Sequence, residues 1–322
     1  MDDRMERLDS IDEFRGFAIL LMVLVDYLAG PRIVPVWLKH APDIGFTVAD
    51  IVAPMFIVAI GLTFGLSYRS HLAHVGRRKA IWHFLTRYLA LLGAGVLLTT
   101  LGNVSGFYVD QSGWGLLQAI GCAGLLTLPV IQIPARFRWI VGVILLTFYQ
   151  VLLDRFWLAR ILGSTHGGPL GALSWAAMLI LATSLGDFFH DSHGSHSRFP
   201  WLAGGILLLG LLLALIVPVS KNRVSASYVV ISLGVSALLF WFFFLFDSQN
   251  HHPLPILRAW GRNSLALYLL HGGLLGVFVV SHAPGWYELA PWWLVLAQAC
   301  CMIIVLSLVG LVLDRRHLYF SL

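Results

Sequence analysis

The chain has 322 residues, 58% hydrophobic and only 11% charged, with a mean hydropathy of +0.82 and a formal net charge of +5. That balance excludes an ordinary soluble domain, and no nucleic-acid partner is expected of it. The three cysteines, Cys122, Cys300 and Cys301, lie inside apolar runs, where an odd number gives neither a disulfide framework nor a metal site.

Apolar runs able to cross roughly 30 Å of hydrocarbon number about ten. They fall near residues 14–30, 47–68, 81–102, 114–131, 138–158, 170–189, 201–218, 225–246, 263–280 and 291–313. The expected fold is an all-α polytopic membrane protein of about ten transmembrane helices, forming a single domain over 1–322. The intervening loops are short, and there is neither an internal repeat nor a low-complexity linker. The first residues carry charges of both signs, unlike a removable signal peptide. Most tryptophans, Trp286, Trp292 and Trp293 among them, read as interfacial anchors. With the N-terminus inside, the inner segments hold Arg4, Arg7, Arg15, Arg69, Arg77, Arg78, Lys79, Arg87, Arg136, Arg138, Arg198, Arg258, Arg262, Arg315 and Arg316. The outer segments hold only Arg32, Lys39, Arg155, Arg160, Lys221 and Arg223, so both termini are expected in the cytoplasm. The loop bearing His40 then faces outward.

The first helix opens with Ser10-Ile-Asp-Glu13, a capping-box pattern, and Asp12 and Arg15 share one face as an i, i+3 pair. Asp26 follows eleven residues after Arg15, roughly 16 Å along a helix, where a lone carboxylate needs a proton or a partner. Next comes Trp37-Leu-Lys-His40-Ala-Pro-Asp43-Ile-Gly-Phe-Thr47-Val-Ala-Asp50-Ile-Val-Ala-Pro54. It gathers a histidine and two carboxylates where a loop meets a long apolar helix, and Asp50 reads equally as a helix cap or a functional group. Pro54 has no N–H for the carbonyl of Asp50, so this turn should kink and leave that acceptor free. Gly61 and Gly65 form a small-residue face suited to close helix packing. The loop His190-Asp-Ser-His193-Gly-Ser-His196 has the spacing of a flexible segment, and no metal is expected. His271, two turns into the ninth run and roughly 12 Å deep, is either a cofactor-channel contact or part of a packed polar core.

Three segments near the start, Arg7-Leu-Asp-Ser-Ile-Asp-Glu-Phe-Arg-Gly16, Met22-Val-Leu-Val-Asp26-Tyr27 and His40 through Pro54, resemble the heparan-α-glucosaminide N-acetyltransferase family. Later segments resemble it in the same order: Gly115-Leu-Leu-Gln118-Ala-Ile-Gly121, Pro218-Val-Ser-Lys221-Asn222 with Ser227-Tyr228, and Gly261-Arg-Asn263-Ser264-Leu-Ala-Leu-Tyr268. The resemblance implies a short bacterial-type enzyme of the cytoplasmic membrane. Such an enzyme takes an acetyl group from cytosolic acetyl-CoA and passes it to an amino sugar or other carbohydrate on the far side. It implies His40 at the reacting centre, as general base or as acyl-accepting nucleophile; imidazole exchanges protons near neutral pH. Asp26 and Asp50 are its expected catalytic partners. Arg15, Arg258 and Arg262 are candidates for the CoA phosphates, whose oxygens match arginine forks. Gln118, Asn263, Ser264 and His271 are candidates for the pantetheine channel, and Asp43, Lys221 and Asn222 for the acceptor.

The family usually carries asparagine where Asp26 stands, and tryptophan and asparagine where Asp43 and Ile44 stand. An acidic Asp-Pro-Glu-Gly segment of the family appears here as His166-Gly-Gly-Pro-Leu170. These departures lead to the expectation that Asp26 pairs with His40, and they point away from a heparan-like acceptor. A homodimer is compatible with the sequence. The competing reading is a multi-helix transporter or flippase in which Asp26, Asp50 and His271 relay protons or bind substrate.

Overall fold

A computed structural model describes residues 9–104, 113–191, 196–250, 254–279 and 284–319. Arg4, Arg7 and His193 lie outside the described residues. Among those described, twelve α-helices form and no strand does. Every one of the ten expected runs is helical. Seven helical stretches are long and apolar enough to cross a membrane, beginning at Val48, Arg77, Ala135, Thr165, His196, Ala226 and Trp292. The other three runs fall short for different reasons. The helix Asp9–Leu28 (α1) carries Asp9, Asp12, Glu13 and Arg15 in its first two turns, whereas Leu116–Thr127 and Ser264–Gly276 are shorter.

The chain divides into two compact units, one of Met1–Lys39 with Leu238–Ser321 and the other of His40–Ala237. The second unit contains α2 (Val52–Val75), α3 (Arg77–Val104), α4 (Leu116–Thr127), α5 (Ala135–Leu152), α6 (Leu158–Ile161), α7 (Gly168–Asp191) and α8 (Phe199–Leu213). The boundary falls inside α9 (Ala226–Asn250), which supplies its first half here. The axis of this unit is α7, which packs against α2, α4 and α5 and is buried along most of its length. Small residues make that possible. A Cβ on Gly61 would lie 2.4 Å from that of Ala182, and one on Gly65 would lie 2.7 Å from the Asp187 carboxylate. The Gly61/Gly65 face is thus a close helix contact, as its spacing suggests. By contrast, Trp82, Leu97, Trp201, Leu208 and Leu212 on α3 and α8 are exposed, a distribution suited to lipid.

At one end of α7, Asp187 receives Arg138 from α5 and Arg69 from α2, the latter at 2.9 Å. Arg138 is fully buried, and its Nε and Nη1 have no partner among the described residues. One carboxylate therefore neutralises a cation that the interior could not otherwise hold.

The first unit contains α1, the second half of α9, α10 (Pro255–Arg262), α11 (Ser264–Val279) and α12 (Trp292–Arg315). Glycines set the contact between α1 and α10 from both sides. A Cβ on Gly261 would lie 1.8 Å from the Asp12 carbonyl oxygen, and one on Gly16 would lie 1.9 Å from that of Leu257. The capping box expected at Ser10 and Glu13 is not what holds this end. Glu13 accepts the Leu254 backbone N–H at 2.7 Å just ahead of α10, and the Ser10 hydroxyl has no partner among the described residues. A buried acceptor is better used on a free helix-entry N–H of α10 than on its own helix.

Asp187→Leu strands the Arg138 guanidinium in the interior and should cost about 3–5 kcal/mol, read as a lowered thermal midpoint of the detergent-solubilised protein. Adding Arg138→Met should recover most of the loss, because it removes the stranded charge.

Candidate active site

The loop from Ala29 to Thr47 ends in a capping box in which Thr47 and Asp50 exchange side-chain and backbone hydrogen bonds. A short 3-10 turn, Val48–Ile51, follows before α2 begins. Asp50 is fully buried, and each of its oxygens is engaged. Oδ2 accepts the Ala41 N–H at 3.3 Å, the Thr47 N–H at 3.0 Å and the Thr47 hydroxyl at 3.0 Å. Oδ1 lies 2.9 Å from His40 Nδ1 and 3.9 Å from Lys221 Nζ. The helix cap and the His40 contact are made by one carboxylate.

The Pro54 expectation is met in an informative way. The Asp50 carbonyl, which Pro54 cannot serve, accepts the Tyr228 hydroxyl at 2.8 Å. Asp50 is thereby fixed at main chain and side chain together. With Ala41, Thr47 and Lys221 all donors, the carboxylate acts as an acceptor, so His40 Nδ1 donates to it, and in a neutral ring Nε2 is then the nitrogen with the lone pair. The His40 side chain is 35% exposed, whereas its partner is wholly buried.

The segment Pro218–Ser225 closes over this loop. Arg223 forms a fork on Asp43, with Nε to Oδ1 at 2.9 Å and Nη2 to Oδ2, and the Ser220 hydroxyl joins Oδ1 at 3.0 Å. Asn222 donates to the Pro42 carbonyl at 2.7 Å, and the Gly45 N–H donates to that of Val219 at 2.8 Å. Of the three acceptor candidates, the structure places Asp43 and Asn222 in a loop clamp and Lys221 beside Asp50. Arg223 was not singled out from sequence, although the departure to Asp43 was the available signal: a new carboxylate in a loop beside apolar helices needs a cation.

Asp26, expected on His40, instead has Oδ2 3.0 Å from His271 Nε2, within the first unit. His271 Nδ1 meets the Tyr268 carbonyl, so both ring nitrogens are occupied. The physical reason is proximity within that unit: α1 and α11 pack together and present the carboxyl and the ring to each other. Asp26 is 37% exposed on its side chain, so this pair is not sealed.

The remaining candidates are held more tightly than sequence alone suggests. Arg262 faces Asp9, Asp12 and Asp314 at 3.2–3.4 Å, Arg258 pairs with Asp9 at 2.8 Å, and Arg15 lies 3.5 Å from Asp12. Gln118 caps α4 through the Gly115 N–H at 2.9 Å and reaches Thr99 and the Gly113 carbonyl at 3.1 Å. Asn263 ends α10 with its amide on the Ala259 carbonyl at 3.2 Å, but its buried Oδ1 is unpartnered among the described residues. Ser264 opens α11, half-buried. Among the described residues no three metal-ligating side chains cluster.

Fold and site together define a polytopic helical membrane protein with a carboxylate-anchored histidine at a helix entrance. The family described as "Heparan-alpha-glucosaminide N-acetyltransferase, catalytic" matches residues 7–246, and the chain belongs to that family. Two curated relatives carry the name heparan-alpha-glucosaminide N-acetyltransferase. The mouse protein is 33% identical over 139 residues, 41% of this chain and 20% of that protein. The human protein is 46% identical over 121 residues, 36% of this chain and 17% of that protein. The matched part of this chain thus spans about a fifth or less of either relative's length.

The Arg223 guanidinium holds the Asp43 carboxyl below its ordinary value of 3.8, helped by the Ser220 hydroxyl and opposed by burial. A depressed carboxyl stabilises the folded state above its unfolded value and loses that contribution as pH falls through the lower folded value. Thermal midpoints measured downward from pH 5 should therefore fall more steeply in the parent protein than in Asp43→Asn.

Proposed function

We propose that the protein is an integral-membrane acyltransferase that moves an acetyl group from acyl-CoA to an amino-sugar or other carbohydrate acceptor. The observation that carries this reading is the His40–Asp50 pair, set in a segment that lies within the family match. The match runs through both compact units, which supports treating the chain as one catalytic domain. Charge bias supports both termini in the cytoplasm and the His40 loop outside; a bacterial cytoplasmic membrane is part of the proposal that follows from the resemblance alone.

The chemistry follows from the protonation pattern. The acceptor nitrogen attacks the thioester carbonyl, the C–S bond breaks, and His40 Nε2 takes the proton the nitrogen sheds. Asp50 stabilises the imidazolium that forms, and Lys221 balances the carboxylate's charge between turnovers. The proton then passes to the departing thiolate. The same lone pair would serve a covalent route, in which Nε2 attacks the thioester carbonyl, the C–S bond breaks to release the thiolate, and the acceptor nitrogen then displaces the imidazole from the acyl carbon, its shed proton ending on the thiolate. In either route Asp50 supplies orientation, which is worth most when the donor and acceptor must meet at one nitrogen. The transporter reading draws less support, since its Asp26, Asp50 and His271 are engaged in two fixed hydrogen-bonded pairs.

Purified protein given acetyl-CoA and glucosamine should release free thiol and form acetylated sugar. His40→Ala should lower that rate by about 10²–10⁴-fold with CoA-induced thermal stabilisation retained. A parent protein that neither binds CoA nor transfers acetyl would favour transport, and an undiminished His40→Ala would move the chemistry elsewhere.

A further inference from the structure

The two segments that meet at the His40–Asp50 pair are inside out for loops in water. Along residues 40–50 the exposed positions are Pro42, Ile44, Phe46 and Val48, with Ile44 at 60% and Val48 at 47%. Along residues 214–225 they are Leu215 and Ile216, at 81% and 82%, and Pro218. The polar side chains of both segments are half-buried or buried, and each has a partner. Asp43, Ser220 and Arg223 bind one another, Thr47 binds Asp50, and Lys221 is buried beside that carboxylate. Asn222 holds the Pro42 carbonyl, and the buried Ser225 hydroxyl accepts the Ser220 N–H at 3.1 Å. Surfaces against water show the opposite distribution, and contiguous exposed apolar side chains mark a contact with something apolar.

These side chains border the pair. The Asp50 carboxylate draws the Ala41 and Thr47 N–H groups together, which sets His40 beside the stretch from Phe46 to Val48. The loop is tight: a Cβ on Gly45 would lie 3.3 Å from that of Ala41, so Ile44 and Phe46 stand beside the residue that follows His40. Phe46 rests on Tyr228, with 6.0 Å between ring centroids, and the Tyr228 hydroxyl holds the Asp50 carbonyl. The Gly45 N–H on the Val219 carbonyl brings the second segment alongside. Recognition of a free sugar needs several unsatisfied donors and acceptors converging on the site. Here the clamp has used them, and what it leaves around the partly exposed imidazole is apolar.

We infer that the acceptor is an amphiphile, whose amine-bearing head is presented to His40 by an apolar tail lying on Ile44, Phe46 and the Leu215–Ile216 end of α8. The inference rests on the acyl-transfer reading and names the class of acceptor within it. A loop that meets long apolar helices sits at the membrane boundary, where an amphiphile's head comes to rest unaided. Its head then needs few contacts of its own, which fits a site whose polar groups are already paired. The identity of residue 44 agrees, since the family usually carries asparagine where this chain exposes isoleucine. Each methylene taken out of water adds about fourfold to affinity, so even partial cover of a tail is a measurable preference.

The test compares acetyl-CoA-dependent acetylation of octyl and methyl glucosaminide, two amines with the same head, by the full chain in lipid nanodiscs. The parent should favour the octyl compound in kcat/KM by about tenfold or more, the gain from roughly two methylenes taken out of water. Ile44→Asn should cut that preference by about threefold, and Ile44→Asn with Ile216→Asn by about tenfold. Both positions are exposed, so the variants should fold, which their thermal midpoints check. Leu97→Asn on α3, at 60% as exposed as Ile44, should leave the preference as it is. No octyl preference in the parent overturns the inference and leaves acyl transfer standing. So does a preference that both folded variants keep, which is the result expected if the apolar border faces only bilayer lipid or a second copy of the chain. No transfer by the parent to either glucosaminide overturns the acyl-transfer reading and the inference with it.

Discussion

The Asp50 carboxylate is the point on which the site depends. Buried charge is tolerated only where donors surround it, and here the donors are the structure itself: the Ala41 and Thr47 backbones, the Thr47 hydroxyl, His40 and, further off, Lys221. Each donor belongs to a different structural task. Thr47 starts the helix turn, Ala41 turns the loop, and His40 carries the imidazole proposed to react. Removing the carboxylate would therefore leave several groups unpaired at once, so orientation and folding of the loop cannot be separated at this residue. The proline four residues on extends the same logic to the main chain. By leaving the Asp50 carbonyl unserved, it creates the acceptor that Tyr228 fills from α9.

Much of this could be read from residue spacing. The ten helical runs follow from apolar length, and the cap-and-proline sequence from Thr47 to Pro54 announces both the helix entrance and its free carbonyl. The His40–Asp50 contact was not legible, because the pair lies ten positions apart across an irregular loop, and its closure depends on the Pro218–Ser225 segment arriving from far along the chain. The clamp between Asp43 and Arg223 is of the same kind, spanning 180 positions. The Asp26 partner was misjudged for a related reason. Spacing along α1 gives the depth of Asp26 but not which helix packs beside it, and α11 supplies His271 there. The His166 turn was noticed only as a departure from the family segment. That it is left-handed, and strained, required coordinates.

The first unit has a different physical character. Its charged residues are tied to each other: Asp9, Asp12 and Asp314 surround Arg262, Arg258 joins Asp9, and the α1–α10 contact closes on two facing glycines. A phosphate approaching Arg258 or Arg262 has to compete with carboxylates already in place, so the CoA-phosphate role proposed for these arginines requires exchange of partners rather than filling of an empty fork. The Asp26–His271 pair is less committed, because Asp26 is partly exposed while its histidine is not.

The central claim is that Asp50 makes His40 donate through Nδ1 and leaves Nε2 with a lone pair. The most direct measurement is the 15N NMR of imidazole-labelled protein at neutral pH, with the His40 resonances assigned by their loss in His40→Gln. The account predicts a protonated Nδ1 and an unprotonated Nε2, with that preference lost in Asp50→Asn. A neutral His40 that carries its proton on Nε2 in the parent protein would contradict it.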